Sequence, residues 1–209
     1  MKAYLDTLQN KPDLSELERM RAYAEKANIP ILEEDSMQLL LQVLTLTAAR
    51  HVLEIGSAIG YSALRMAASD KGRNVTTIER DRHRYEQAHL FLADSCYNRS
   101  ITLLYGDAFN HVDTLAEKQP YDALFIDAAK GHNKAFIETF TPFVKTGGVI
   151  IVDNVFLRGW AAEPDNAPER LQNIAKKVHD FNQWLRDHPH LDTWFHPVGD
   201  GLAVSFKFY

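Results

Sequence analysis

Five short apolar runs, at residues 51–55, 75–78, 101–105, 123–126 and 149–152, recur along the middle of the chain with amphipathic segments between them. A near-continuous apolar run leaves no face for water, so each reads as a strand buried on both sides, as in a parallel sheet. The intervening segments supply the crossovers: one follows Arg80, one Phe109 and one His132. A longer one carries Leu171, Ile174, Val178, Phe181 and Leu185 at helical spacing. Two β-like runs, 194–198 and 202–208, flank Pro197, Gly199 and Gly201 and predict an antiparallel hairpin at the sheet edge. Ahead of the first strand, Leu14, Leu17, Met20, Tyr23 and Ala27 recur at three and four, with Ser15 and Glu18 spaced as a capping box. Asn28-Ile29-Pro30 breaks that helix. A second helix starts near Asp35, with Met37, Leu40, Leu41 and Leu44 on one face. The expected fold is a doubly wound α/β sheet with a terminal antiparallel hairpin and an N-terminal helical cap. It forms one domain over residues 1–209, with a cap at 1–47 and an α/β core at 48–209.

Composition narrows the function classes. At 209 residues the chain buries a full-sized core without staples, and 45% hydrophobic with 24% charged residues excludes a disordered chain. The single cysteine, Cys96, excludes a disulfide scaffold and a Cys-rich zinc site. The acidic, polar start is unlike a signal peptide, and no apolar run approaches the roughly 18 residues of a membrane span. A soluble cytoplasmic protein with no membrane partner is expected. The formal charge of -5, from 23 basic and 28 acidic residues, argues against a strongly basic nucleic-acid binder and leaves room for a local basic patch.

Open α/β sheets bind ligands at the carboxyl ends of their strands. The loop after the first run is Glu54-Ile55-Gly56-Ser57-Ala58-Ile59-Gly60-Tyr61-Ser62. Gly56 and Gly60 allow a tight turn and a close ligand, but Ala58 stands where a dinucleotide fingerprint has its second glycine. Glu54 repels phosphate and attracts an ammonium or sulfonium, so a ligand with an amino-acid tail and a sulfonium fits better than NAD. Glu79 closes the second run, placed to accept from ribose hydroxyls. Gly106-Asp107-Ala108 closes the third, where an adenine amino group finds an acceptor; Asp107 alone also reads as a helix cap.

The fourth and fifth runs end in Asp127-Ala128-Ala129-Lys130 and Asp153-Asn154. Asp127, Asp153 and Asn154 are oxygen ligands of the kind that Mg²⁺ or another divalent cation prefers; the competing reading is surface acids or helix caps. Lys130, three residues past Asp127, leans over the same cleft. Beside a metal and partly desolvated, the amine is expected to act as a base.

The run LEIGSAIGYSA with Glu79, GDA, FIDAAK, VDN and PVGDGLA resembles the cation-dependent O-methyltransferases of the catechol and caffeoyl-CoA type, over nearly the whole chain. PILEED, LEIGSAIGYSALRMA, FIDAAKG, VDNVFLRG and PVGDGLA resemble more narrowly the bacterial enzymes that methylate 5-hydroxyuridine at the tRNA wobble position. The resemblance implies a Rossmann-like methyltransferase sheet, S-adenosylmethionine, a divalent cation (usually Mg²⁺) and a homodimer. It implies metal ligation by Asp127, Asp153 and Asn154 and catalysis by Lys130 with Asp127. It also implies cofactor contacts by Glu54, Gly56, Ser62, Glu79, Asp107, Ala108 and Asp127.

Three readings stay open. In the first, the chain methylates tRNA 5-hydroxyuridine; Arg80, Arg82, His83 and Arg84 form a basic cluster, and Arg158, Lys176, Lys177 and Arg186 track phosphates, with Arg158, Lys176 and Lys177 around the cleft mouth; the competing reading is a solvated helix face. In the second, favoured by the acidic charge, the substrate is a small catechol-like molecule. Both substrates carry two adjacent oxygens, so one metal site serves either. The third is a non-catalytic or NAD-binding protein of similar fold, against which Ala58 and the Asp127, Asp153, Asn154 set argue. Trp160 is placed to stack on a planar substrate, whereas Trp184 reads as core packing.

Overall fold

The computed structural model of the chain describes residues 15–209; Leu14, expected on the inner face of the first helix, lies outside the described residues. Helix α1 (Ser15–Ala27) buries Leu17, Met20 and Ala24, the residues that repeat at three and four. Ser15 lies inside the helix rather than ahead of it, and its hydroxyl donates to Glu16 Oε2 at 3.4 Å, so the expected box with Glu18 does not form. Asn28 ends the helix in the left-handed region, at φ 52°. Helix α2 (Glu34–Leu46) buries Met37, Leu40, Val43 and Leu44.

The core then alternates β1 (His51–Ile55), α3 (Tyr61–Ser69), β2 (Asn74–Glu79), α4 (Arg82–Ala93), β3 (Ile101–Tyr105), α5 (Val112–Ala116), β4 (Tyr121–Ile126), α6 (Asn133–Phe140) and β5 (Val144–Asp153). It closes with α7 (Glu169–Arg186), β6 (Leu191–His196) and β7 (Leu202–Lys207). The sheet order is β3-β2-β1-β4-β5-β7-β6, with β1 to β5 parallel and β7 antiparallel to both β5 and β6. The order reverses between β1 and β4, and the crevice outside the carboxyl ends of these strands is where such a sheet accepts ligands.

Alternate residues of the central strands feed two cores. Val52, Val149 and Ile151 pack with the cap residues Leu40 and Leu44 on one face. Leu53, Ile150 and Val152 pack with Phe181 and Leu185 of α7 on the other, where Trp184 also rests with its ring 6.0 Å from that of Phe181. The expectation of two buried faces fails at β3. It is the sheet edge, and Thr102 and Tyr105 are exposed. The hairpin also shifts: β6 begins at Leu191, whose buried side chain anchors it, and stops before Pro197, which has no N–H to give the ladder.

Candidate active site

A cavity of about 720 Å³ opens at the carboxyl ends of β1, β2, β4 and β5. Its floor depends on a close approach of β1 and β4. Gly56 has φ 97°, and its amide donates to the Ile78 carbonyl at 3.0 Å, while the Asp127 amide donates to the Ile55 carbonyl at 3.0 Å. Ala58, two residues on, is also left-handed, at φ 46°. Glu79 fixes that loop: one oxygen accepts the Ala58 amide at 2.8 Å and the other the Asp81 amide at 2.8 Å. Glu79 is buried and faces the cavity; burial holds its carboxyl above the usual range despite the two amides. Each oxygen keeps a lone pair for a ligand hydroxyl. Asp107 caps the short 3₁₀ turn after β3, with Oδ1 accepting the Phe109 amide at 3.0 Å, and also lines the cavity beside Ala108. The cap and cavity readings of Asp107 are thus compatible.

Glu54 and Ser62 do not line the cavity. Glu54 is fully buried behind the loop, accepting from Ser62 Oγ at 2.5 Å and from Thr77 Oγ1 at 2.5 Å. Burial pushes the Glu54 carboxyl up to about 7. The pair ties β1, β2 and α3 together directly beneath the glycine loop.

On the other side stand Asp127, Lys130, Asp153 and Asn154. Burial raises the carboxyls of both Asp127 and Asp153; the Asp127 charge raises Asp153 further, and the Lys130 charge opposes both shifts. Asp153 Oδ1 is buried without a hydrogen-bond partner. Asn154 is left-handed, at φ 59°, a conformation asparagine tolerates better than most residues. Two crowded carboxylates, an orphaned oxygen and an adjacent carboxamide form a donor set that a hard cation satisfies, because it supplies the missing partner and offsets the repulsion. Among the described residues, no group of three or more His, Cys, Asp or Glu side chains gathers as a metal site; this set is two acids and an amide.

A further wall of the cavity comprises Leu157, Arg158 and Trp160 after β5, Arg170 and Leu171 in the first turn of α7, and Asp200 in the β6–β7 turn. The cap contributes residues 30–33. Arg80 and Arg84 line the β2 side, but Arg82 turns away to Glu86 at 2.9 Å. Lys176 and Lys177 do not reach the mouth, against expectation, and neither does Arg186. Helix α7 rises about 1.5 Å per residue, so only its first turn meets the cavity. Lys176 instead pairs with Asp165 at 2.8 Å and Arg186 with Asp187 at 2.7 Å. Arg170 and Asp200 were not singled out by sequence reasoning. Arg170 followed a proline-rich loop with no periodic signal, and Asp200 resembled an ordinary turn residue.

Fold and site together define a methyltransferase-type α/β sheet with a ligand cavity at its switch point. The chain belongs to the O-methyltransferase family, whose model matches residues 6–208. The caffeoyl-CoA O-methyltransferase of Populus kitakamiensis is 29% identical over 183 residues, covering 85% of this chain and 77% of that one. A Staphylococcus aureus structure provisionally named a caffeoyl-CoA O-methyltransferase is 34% identical, with a TM-score of 0.90, covering 99% of this chain and 98% of that one. The O-methyltransferase TomG of Streptomyces achromogenes, solved with SAM, shares the fold at 24% identity and a TM-score of 0.85, covering 99% of this chain and 95% of that one.

Proposed function

We propose that the chain transfers the methyl group of S-adenosylmethionine to the 5-hydroxyl of 5-hydroxyuridine at the tRNA wobble position, giving 5-methoxyuridine, with the help of a divalent cation. The observation that carries the chemistry is the buried, partnerless oxygen of Asp153 beside Asp127 and Asn154. When bound, S-adenosylmethionine supplies an electrophilic methyl group, and a cation such as Mg²⁺ supplies a Lewis acid for two adjacent substrate oxygens. Asp127, Asp153 and Asn154 would hold the cation. Glu79 accepts from ribose hydroxyls, and Asp107 with the Ala108 main chain meets the nucleobase. Lys130 Nζ, as the neutral amine, takes the hydroxyl proton. The remaining contribution is alignment of oxygen, methyl carbon and sulfur by a rigid floor. Glu54 and Ser62 shape that floor from beneath.

The choice of tRNA is supported by Arg80, Arg84, Arg158 and Arg170, four guanidinium groups around one cavity in a chain of net charge -5. Guanidinium groups suit phosphates, and a bare catechol offers them nothing. The test is methyl transfer by purified protein to tRNA carrying 5-hydroxyuridine, with and without EDTA. Methylated tRNA that disappears with EDTA and returns with Mg²⁺ supports the reading. Turnover of a free catechol with none of tRNA would replace the substrate, and full turnover in metal-free protein would remove the cation.

A further inference from the structure

We infer that Asp200 is a positioning residue for the substrate side of the cavity: it holds the left-handed turn at Leu157 and Arg158, and so sets where Arg158 and Trp160 stand. Leu157 and Arg158 are successive residues with a Cβ at positive φ, 48° and 55°. That conformation crowds Cβ against the following carbonyl and does not persist unless something outside the turn fixes it. The fixing group is the β6–β7 turn. Asp200 Oδ1 accepts the Arg158 amide, the Asp200 carbonyl accepts the Phe156 amide at 3.0 Å, and the Gly201 carbonyl accepts the Val155 amide at 3.1 Å.

The three bonds differ in kind. Those to Val155 and Phe156 come from main chain and survive any substitution at 200. The flanks are held independently by α7: Asn182 Nδ2 donates to the Val155 carbonyl at 2.6 Å, and His179 Nδ1 lies 2.9 Å from the Ala161 carbonyl. Between these flanks the Gly159 amide donates to the Phe156 carbonyl at 2.9 Å, and the Arg158 amide is tied to the β6–β7 turn through the Asp200 side chain. Within residues 157–160 the Trp160 amide donates to the Leu157 carbonyl at 3.1 Å, so the left-handed pair directs Trp160. Asp200, Arg158 and Trp160 all line the cavity. A carboxylate at this turn therefore acts on substrate through the loop.

The assignment of this side to substrate rests on the proposed function; the loop tie does not, and the two are read separately. In a Trp184→Phe, Trp194→Phe background Trp160 is the single tryptophan, and acrylamide quenching reports its shielding without any substrate. Asp200→Ala should raise the quenching constant by about twofold as the segment loosens. It should raise KM for 5-hydroxyuridine tRNA by about tenfold, the loss of one charge-assisted hydrogen bond, with kcat at saturation and affinity for S-adenosylmethionine nearly unchanged. Asp200→Asn keeps an acceptor oxygen in place and should restore both readings. Should Asp200→Ala fail to fold, Asp200→Ser, whose hydroxyl ends one bond short of the Arg158 amide, takes its place. Unchanged quenching in the Ala or Ser variant, or an Asn variant as impaired as Ala, overturns the inference. Changed quenching with no tRNA turnover in any variant leaves the loop tie standing and removes the substrate assignment.

Discussion

A Cβ atom built on Gly56 would stand 2.1 Å from the main-chain oxygen of Asp127, and it would do so at a φ of 97°. The loop after β1 and the end of β4, to which the proposed function gives the cofactor and the chemistry, are therefore packed backbone to backbone, with no space for a methyl group. Gly56→Ala should destabilise the fold by about 3 kcal/mol, from strain and overpacking together, and should abolish binding of S-adenosylmethionine. Urea denaturation and calorimetry check the two effects; a variant of normal stability and affinity contradicts the packing.

Asp153→Ala removes the proposed cation ligand, whose Oδ1 has no hydrogen-bond partner. Turnover should fall about 1,000-fold, the several kcal/mol that a Lewis acid contributes, while affinity for S-adenosylmethionine changes little. Mg²⁺ should raise the melting temperature of the wild type and not of the variant, because only a folded state with an intact site binds the ion. An equal Mg²⁺ shift in both proteins places the ion elsewhere.

Glu54 makes stability depend on pH. Its carboxyl is raised by burial from 4.5 to about 7, so the folded state binds the proton more tightly than the unfolded one. Its unfavourable contribution is absent below pH 4.5, grows as pH rises toward 7 and is complete above. Glu54→Gln keeps the shape and removes the titration. It should flatten the decline over that window, a difference on the order of 3 kcal/mol at pH 8. Denaturation at pH 5 and pH 8 measures it, and parallel declines in the two proteins contradict the assignment.

The cap is fastened to α3, the helix that follows the glycine loop, by Glu34. Arg65, almost fully buried, donates to its two oxygens at 3.1 and 3.0 Å, and both Arg65 and Arg21 donate to the Tyr61 hydroxyl, at 2.9 and 2.7 Å. Glu34→Ala strands the Arg65 charge and should cost about 3 kcal/mol. Since cap residues 30–33 line the cavity, affinity for S-adenosylmethionine should fall with it. Replacement by alanine at Lys176, which pairs with Asp165 away from the cavity, should change neither.

At the cavity mouth, Arg158→Ala and Arg170→Ala should each weaken tRNA binding and reduce its salt slope by about one. Lys177→Ala, on the part of α7 that does not reach the mouth, should leave the slope alone. A slope unaffected by either arginine contradicts the phosphate contacts.

Much of this arrangement was legible because strand ends are marked twice, by an apolar run and by the polar residue that stops it. Glu79, Asp107, Asp127 and Asp153 stand where that logic places them. It failed where one layer of packing decides. Glu54 and Ser62 carry the right chemistry beside the right loop, yet their side chains meet each other behind it. Lys176 and Arg170 lie on one helix, and only the docking of α7 decides which of them reaches the cavity. Asp200 lies within the PVGDGLA run, but the role proposed for it was not legible because it depends on a left-handed pair more than 40 residues earlier, a contact that no local pattern encodes. Strand β3 reads as apolar as its neighbours, and its half-exposure follows from the sheet order.

The central claim is tested most directly by mass spectrometry of nucleosides from the tRNA of a strain lacking this gene. The account predicts loss of 5-methoxyuridine with accumulation of 5-hydroxyuridine, both reversed by the wild-type gene and not by its Asp153→Ala form. Unchanged 5-methoxyuridine in the deletion strain would contradict it.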